Sequence, residues 1–330
     1  MNPAISIIVV THNRVKLLKR CLTSIAESDL PAGSELIVII NGTDAESAGF
    51  LKSFSTNKAD LRFYHIEHST SGRAHNEGIR RSAGDMLYFL DDDITVEKNI
   101  FTEVFKKRVR YPDVYIFGGP NLTPPGSTLF QRCCGYVLSS AFGSAKMRNR
   151  YIKGPREKFV DDTSLILCNL AISRKIFEDE KMLMNENFSC NEENLLLQEL
   201  RQKGYGMLYS PDLIVYHNRR EGVKNFFWQI FNYGKGRMRQ TLCSPKLFLP
   251  FTVIPSLFVL YLVSLGLFRS MVYLLPFFAY AAIDVFCAAS LSLKYRNPMI
   301  FLYTFILFPV QHIAYGLGFI LGFRPSYIGD

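Results

Sequence analysis

Three consecutive aspartates, Asp91-Asp92-Asp93, follow the apolar run Tyr88-Phe89-Leu90. Adjacent carboxylates repel one another unless a positive charge sits among them, and at the end of a buried strand the natural partner is a divalent cation. An all-oxygen donor set suits Mg2+ or Mn2+, which keep several waters and bind through one or two carboxylates plus substrate phosphates. The competing reading is a solvated acidic loop, or a helix N-terminus in which Asp93 caps residues 94–98. Two more polar turns follow apolar runs: Thr11-His12-Asn13-Arg14 after residues 5–10, and Asn41-Gly42-Thr43-Asp44 after residues 36–40. Their coincidence carries more information than any one of them and favours a shared cleft.

Something must bring these turns together. Residues 5–10, 36–40, 61–66 and 86–90 are short apolar runs of the kind that form strands buried on both faces. Leu18, Cys21, Leu22 and Ile25 recur at helical spacing between the first two runs. Ser71 is placed to cap a helix from Gly72 to about Ala83, whose early glycine would let backbone approach a ligand. Strand, helix, strand, helix at this spacing predicts right-handed βαβ units and a parallel sheet. In such sheets ligands bind beyond the carboxyl ends of the strands, where the three polar turns fall. After Val114 the pattern is mixed, with a strand predicted over residues 165–172 and a helix from Asn191 to Lys203 stopped by Gly204.

The chain has 330 residues and a net charge of +9, unevenly spread. Residues 247–330 hold only Arg269, Asp284, Lys294, Arg296, Arg324 and Asp330 as charged groups, while the first 246 carry 34 basic and 27 acidic residues. Neither part is poor enough in apolar residues to be disordered. Three apolar stretches, 247–268, 271–293 and 299–323, are each long enough for a ~30 Å hydrocarbon core. Pro255, Pro276 and Pro309 leave two or three crossings open. Positive-inside bias puts the main domain and the loop carrying Lys294 and Arg296 in the cytoplasm, and Asp284 should face protein. Gly316, Gly318 and Gly322 suit close packing between membrane helices. Phe226, Phe227, Trp228, Phe231 and Tyr233 lie among Lys224, Lys235, Arg237 and Arg239, a composition that suits an anionic membrane surface. That placement of the cations argues against nucleic acid as a partner. Seven irregularly spaced cysteines read as unpaired thiols of a reducing compartment, and the start of the chain lacks the basic region and long apolar core of a secretion signal.

Several of these segments together resemble a known family. Residues 7–14 (IIVVTHNR), Leu17-x-x-x-x-Leu22-x-Ser24-Ile25, Gly72-x-Ala74-x-Asn76-x-Gly78-Ile79 and Phe89-Leu90-Asp91-Asp92-Asp93 look like the family 2 glycosyltransferases of the GT-A fold. Cys168-Asn169-Leu170-Ala171 looks like their acceptor-side segment, Asn191-Glu192-Glu193 like their acidic motif, and Gly204-Tyr205 with Val215-x-His217 like the region after it. The similarity covers roughly residues 4–240. It implies an α/β fold, a Rossmann-like GT-A catalytic domain with a mostly parallel mixed sheet, followed by an all-α membrane-anchoring region. The divisions expected are 1–222 (catalytic), 223–246 (basic-aromatic, interfacial) and 247–330 (two to three membrane helices).

The resemblance also implies roles. Thr11, Asn13 and Arg14 would line a nucleotide pocket, with Arg73 and Asn76 helping to position the nucleotide-sugar. Asp91 would contact the ribose or the metal, Asp92 would lie on the donor side, and Asp93 would ligate a Mg2+ or Mn2+ ion bridging the diphosphate, with His217 as a further contact. Glu193 sits where the family has its acceptor-deprotonating acid, and Glu192 is the neighbouring alternative. Both are also acids of the kind that helix starts favour. The family's base-recognising Asp is replaced by Ile40, so Asn41 or Asp44 would substitute and the donor could be UDP-, GDP- or dTDP-linked. Tyr233-Gly234-Lys235-Gly236-Arg237-Met238-Arg239 is not the QxxRW of processive synthases, which favours single additions. The resulting expectation is an inverting transfer to a lipid-linked or polysaccharide acceptor at the inner, cytoplasmic membrane, with the catalytic domain facing the cytoplasm. The rivals are a catalytically idle assembly subunit of the same fold and a sugar-phosphate nucleotidyltransferase, although the latter's glycine-rich first loop is missing from Thr11–Arg14.

Overall fold

The computed structural model describes residues 4–267 and 270–323. Arg269 and Arg324, on which part of the charge-based topology rests, lie outside them. The chain sorts into two compact units: residues up to 124 with 149–218, and residues 125–148 with 219 onward.

The first unit is built as the hydropathy pattern dictates. Its elements are β1 (Ile5–Thr11), α1 (Val15–Glu27), β2 (Ser34–Asn41), α2 (Ala45–Ser53), β3 (Ala59–Ile66), α3 (Ser71–Arg81), β4 (Met86–Asp91), β5 (Ile94–Val96), α4 (Ile100–Arg110), β6 (Ile116–Gly118) and β7 (Asn121–Leu122). After an excursion into the second unit, α5 (Leu129–Ser139) and α6 (Ala141–Ser144), come β8 (Lys158–Val160), β9 (Leu170–Ser173), α7 (Arg174–Glu180), α8 (Glu192–Gln202), β10 (Met207–Tyr209) and β11 (Val215–His217). Among the described residues the strands form an eight-stranded sheet ordered β3-β2-β1-β4-β9-β6-β10-β8 and a three-stranded one ordered β5-β11-β7. Strands β3, β2, β1 and β4 are mutually parallel, and β9 is antiparallel to both β4 and β6.

Alternation along the strands creates two apolar layers. Ile5, Ile7 and Val9 pack with Leu18, Cys21, Leu22 and Ile25 of α1, while Ile8, Ile37 and Ile39 pack with Ala74 and Ile79 of α3. Each such fully buried aliphatic side chain contributes roughly 1.5–3 kcal/mol. Helix α3 lies close to the sheet because position 78 is glycine: a Cβ there would stand 2.4 Å from Cγ2 of Ile8.

Local details depart from the expectations. Thr70, not Ser71, caps α3, its side chain accepting from the Arg73 backbone N–H. Residues 94–96 form a strand, so Asp93 caps no helix and sits in the Asp92-Asp93 turn between β4 and β5. The strand expected over residues 165–172 begins only at Leu170, preceded by a 3-10 turn over Leu167–Asn169. The helix expected near Asn191 is α8, and Gly204 at φ +91° ends it.

The second unit is helical: α5 and α6 join α9 (Gly222–Cys243), α10 (Ile254–Ser264), α11 (Met271–Lys294) and α12 (Pro298–Leu321). Among the described residues two helices, α11 and α12, are long and apolar enough to cross a membrane, and they fit a membrane anchor. The first apolar stretch instead yields two short 3-10 turns and the 11-residue α10. The basic-aromatic segment is α9, which buries Phe226 and Ile230 and leaves Trp228 half exposed. Asp284 is buried, as expected. The glycines of α12 admit backbone: a Cβ at Gly316 would lie 2.4 Å from the Pro255 carbonyl oxygen, and one at Gly318 2.0 Å from that of Phe231. All seven cysteines are free thiols.

Candidate functional site

The chain leaves the main sheet at Asp91 and enters the small sheet at Ile94, so Asp92-Asp93 is a corner between two sheets. In the small sheet β5 runs antiparallel to β11 with Ile94 opposite His217, and the Asn218 N–H donates to the Asp93 carbonyl at 2.9 Å. That register brings His217 to the acids: its Nε2 lies 3.0 Å from Asp93 Oδ1. Ligand atoms of Asp91, Asp93 and His217 all fall within 4.8 Å of one another. Asp93 and His217 are buried and Asp91 is half-buried. Burial and the nearby Asp93 charge push the Asp91 carboxyl well above the usual carboxylate range, only partly offset by His75 and Arg14.

Asp92 turns the other way. It is fully buried, accepts from Thr11 Oγ1 at 2.7 Å, and is gripped by Arg14, whose Nη2 stands 2.5 Å from Oδ1. Arg14 Nη1 also reaches Asp93 Oδ2 at 3.1 Å. Asn13 adopts φ +52°, and its N–H donates to Asp44 Oδ2 at 2.8 Å. Asp44 caps α2 through the Ser47 N–H, and these hydrogen bonds outweigh burial to hold its pKa below the usual value. Asn41 closes onto Ser69, its Nδ2 donating to the Ser69 carbonyl at 2.9 Å while its Oδ1 accepts from the Ser69 N–H at 2.8 Å. The first two polar turns therefore meet at the carboxyl ends of β1 and β2, spending much of their hydrogen bonding on one another.

On α3, Arg73 is exposed and Asn76 is fully buried. Asn76 donates to the Met184 carbonyl at 2.8 Å and to Glu186 Oε1 at 3.0 Å, and accepts from the Met184 N–H at 3.0 Å. It ties down the segment before α8. Gly72 does admit approaching backbone, but the chain's own: a Cβ there would lie 2.3 Å from the Asn185 carbonyl oxygen.

Helix α8 starts with both candidate acids buried. Glu192 accepts from Ser71 Oγ, and His75 Nδ1 lies 3.3 Å from its Oε1. Burial alone would raise the Glu192 pKa, but the hydrogen bond and charge of His75 hold it below the usual value. Conversely, burial would lower the His75 pKa, and Glu192 keeps it raised. Glu193 accepts from Asn194 Nδ2 at 3.3 Å. Sequence reasoning missed His75, although its i+4 spacing from Ser71 within a glycine-containing helix start was visible. The structure thus brings together Asp91, Asp93 and His217 in one cluster, Thr11, Arg14 and Asp92 in an adjoining one, and Glu192 with His75.

The cluster at the end of β4 fits a divalent cation. Two carboxylates and an imidazole form an oxygen-rich donor set of the right chemistry.

The profile of the family described as "Glycosyl transferase family 2" matches residues 6–180. The chain belongs to glycosyl transferase family 2. This glycosyltransferase is 24% identical over 243 residues to Glycosyltransferase AglE of Haloferax volcanii, an alignment covering 72% of this chain and 74% of AglE. It is 23% identical over 238 residues to a Methanococcus voltae enzyme named dolichyl N-acetyl-alpha-D-glucosaminyl phosphate 3-beta-D-2,3-diacetamido-2,3-dideoxy-beta-D-glucuronosyltransferase, covering 71% and 72% of the two chains. Among solved structures it resembles the mannosyltransferase PcManGT of Pyrobaculum calidifontis in complex with GDP-Man and Mn2+, at TM-score 0.64 and 13% identity over 98% of this chain and 89% of that one. It also resembles S. aureus TarS 1–349 in complex with UDP-GlcNAc, at TM-score 0.51 and 14% identity, covering 97% and 93%. At such identities the likeness is one of fold, the GT-A fold expected from the motifs.

Proposed function

We propose that the glycosyltransferase transfers a sugar from a nucleotide-sugar to a membrane-associated acceptor with inversion at the anomeric carbon. The observation that carries this reading is the clustering of Asp91, Asp93 and His217 within 4.8 Å at the carboxyl end of a central parallel strand. These three would hold a Mg2+ or Mn2+ ion, which when bound supplies positive charge against the donor diphosphate. Support comes from PcManGT, solved with GDP-Man and Mn2+, and TarS, solved with UDP-GlcNAc. The name of the Methanococcus voltae relative, which contains a dolichyl phosphate, supports a lipid-linked acceptor.

The chain's own residues divide the remaining work. Thr11, Asn13, Arg14, Asn41 and Asp44 shape the donor side of the cleft, and Arg73 presents an exposed cation from the first turn of α3. Asp92 and Asn76 act as positioning groups, since both are fully buried and committed to protein partners. Glu193 accepts the acceptor's hydroxyl proton as the oxygen attacks the anomeric carbon and the bond to the diphosphate breaks. Glu192, held by Ser71 and His75, takes a positioning role beside it. We place the enzyme at the cytoplasmic membrane with residues 1–222 on the cytoplasmic side, residues 223–246 as the interfacial stretch and 247–330 as the anchor.

Purified, detergent-solubilised protein titrated with UDP-, GDP- and dTDP-sugars in Mn2+ or Mg2+ should show a donor-induced rise in melting temperature. The rise should vanish in EDTA. Donor binding undiminished in EDTA would overturn the cation assignment, and no response to any nucleotide-sugar would overturn the donor assignment.

A further inference from the structure

Helices α11 and α12 have the length and hydropathy to cross a membrane, yet one side of α12 is packed against other helices of its unit from start to end, and half of its most apolar window is buried. Just before its start, Tyr136 of α5 stacks on Tyr295 with ring centroids 4.0 Å apart, and within its first turns Phe130 meets Tyr303 at 5.9 Å. Midway, Gln311 Nε2 donates to the Gly143 carbonyl, His312 Nε2 lies 2.9 Å from that of Phe142, and the Phe142 ring packs 5.0 Å from Phe308. At its end α9 takes over, where Gly234 and Gly318 let the two backbones touch: a Cβ at Gly234 would lie 2.1 Å from the Tyr315 carbonyl oxygen.

The elements that line α12 are themselves joined. Gln131 Nε2 of α5 donates to the Arg219 carbonyl at 2.7 Å, just before α9, and Arg237 Nη2 of α9 reaches Met147 Sδ at 4.0 Å. They make one layer, and it carries cations: Arg132, Lys146, Arg148 and Lys224 are exposed and Arg239 is half-buried, while Arg237 is buried against Gln240. A 24-residue helix is ~36 Å long, and a crossing helix needs about 30 Å of hydrocarbon-compatible surroundings. Were α12 to cross, the layer beside it would carry cations into the hydrocarbon, at a cost of at least about 2.5–3.5 kcal/mol for each one near the bilayer centre. Among these helices the most exposed apolar side chains lie on α10 (Leu257, Leu260) and α11 (Val272, Leu275, Phe286), each 55–75% exposed, while α12 exposes an outer face of Met299, Leu302, Phe305 and Ile306 at 40–52%. Only 11% of the most apolar window of α11 is buried, against 50% for α12.

We infer that this unit anchors the enzyme monotopically. Helices α10 and α11 lie in the hydrocarbon of one leaflet, and α12 is sandwiched between them and the cationic layer. Neither α11 nor α12 crosses. The partner is the anionic face of a bilayer, its headgroups meeting the exposed Arg132, Lys146, Arg148 and Lys224 while its acyl chains cover α10, α11 and the outer face of α12. This placement does not rest on the roles given to Asp91, Asp93, Glu192 or Glu193.

The test uses the full chain in membranes, with epitope tags at the N-terminus and at the C-terminus, and protease digestion of inside-out and right-side-out vesicles. The sidedness of the α11–α12 turn is read without an insertion by Arg296→Cys in a Cys243→Ser background, labelled with a membrane-impermeant maleimide. Both tags and residue 296 should be accessible from one face, with the protein released by detergent and not by high salt. Labelling of residue 296 from the face opposite the N-terminal tag would establish a crossing hairpin and overturn the inference. So would a C-terminal tag on the opposite face, or release by salt alone.

Discussion

Thr11 Oγ1 donates to Asp92 Oδ2 at 2.7 Å, joining the carboxyl ends of β1 and β4. These neighbours flank the point where the chain, having run outward through β2 and β3, returns to the other side of β1. Open α/β sheets bind their ligands at such reversal points. By tying Asp92 to β1, the bond fixes the direction in which the corner leaves the sheet and so turns Asp93 toward His217. The middle aspartate is thus a strut, and its neighbours are the working groups.

Asp92 and Asp93 should therefore separate experimentally. Asp92→Ala leaves Arg14 without its closest partner and should cost about 1–3 kcal/mol, discounted for the third of the Arg14 side chain that is exposed. Asp93→Ala should abolish the Mn2+-dependent rise in melting temperature while changing the melting temperature of the metal-free protein by little. Chelator-treated melts of both variants check this, and equal behaviour in the two would contradict the division of labour.

The His75–Glu192 pair gives a pH dependence. Glu192 has its pKa lowered below 4.5 by His75 and Ser71 against the effect of burial, so its contribution is present above about pH 4.5 and is lost as pH falls through the folded value. His75 has its pKa raised above 6.5 by Glu192, again against burial, so its contribution is full below pH 6.5 and is lost as pH rises through the folded value. The stability difference between wild type and His75→Gln should be largest between these limits, at about 1–3 kcal/mol, and shrink as the pH rises through the folded His75 value. Melting curves across pH 4–9 measure it; a pH-independent difference would show that the pair is not ionised.

Glu193→Gln removes the proposed proton acceptor while keeping its shape. The turnover number should fall by roughly 10²–10⁴, with the donor's KM and the Mn2+-dependent melting shift preserved. The rate of nucleoside diphosphate release, measured with the donor found in the nucleotide-sugar screen, decides. Were Glu192→Gln to carry the larger loss, with Glu193→Gln nearly active, the two roles would be reversed.

Gly318→Val places side-chain atoms where the Phe231 carbonyl lies, and backbone has little room to give. Overpacking of this kind typically costs 1–3 kcal/mol or more. The variant should elute from detergent as a polydisperse species and melt earlier than wild type. Gly266→Ala, with no such close neighbour, is the control and should behave normally.

Much of the site was legible because buried parallel strands announce themselves. Residues 5–10, 36–40, 61–66 and 86–90 each proved to be a strand, and the polar turns after them met as expected. What the sequence concealed was which way each side chain turns. Asp91, Asp92 and Asp93 look equivalent in a row, but a corner between two sheets sends them apart. Asn76 reads as a ligand contact, yet its amide is spent on Met184, more than a hundred residues away. The cap of α3 shifted by one residue because Thr70 and Ser71 are both competent and only backbone geometry chooses between them. His75 stayed hidden because its partner Glu192 is 117 residues downstream, and its i+4 spacing from Ser71 alone does not point to that acid.

Residues 125–148 dock on the last helix of the chain, and this bears on how the enzyme can be cut. Removing everything after residue 220 deletes α12, and with it the surfaces that cover Phe130, Tyr136 and Phe142. A shortened protein would keep an aromatic flap inherited from its own middle, stripped of its cover and adhesive in water. Solubility would require excising that flap together with the tail, because the greasy portion of this enzyme is stitched from two places in the gene.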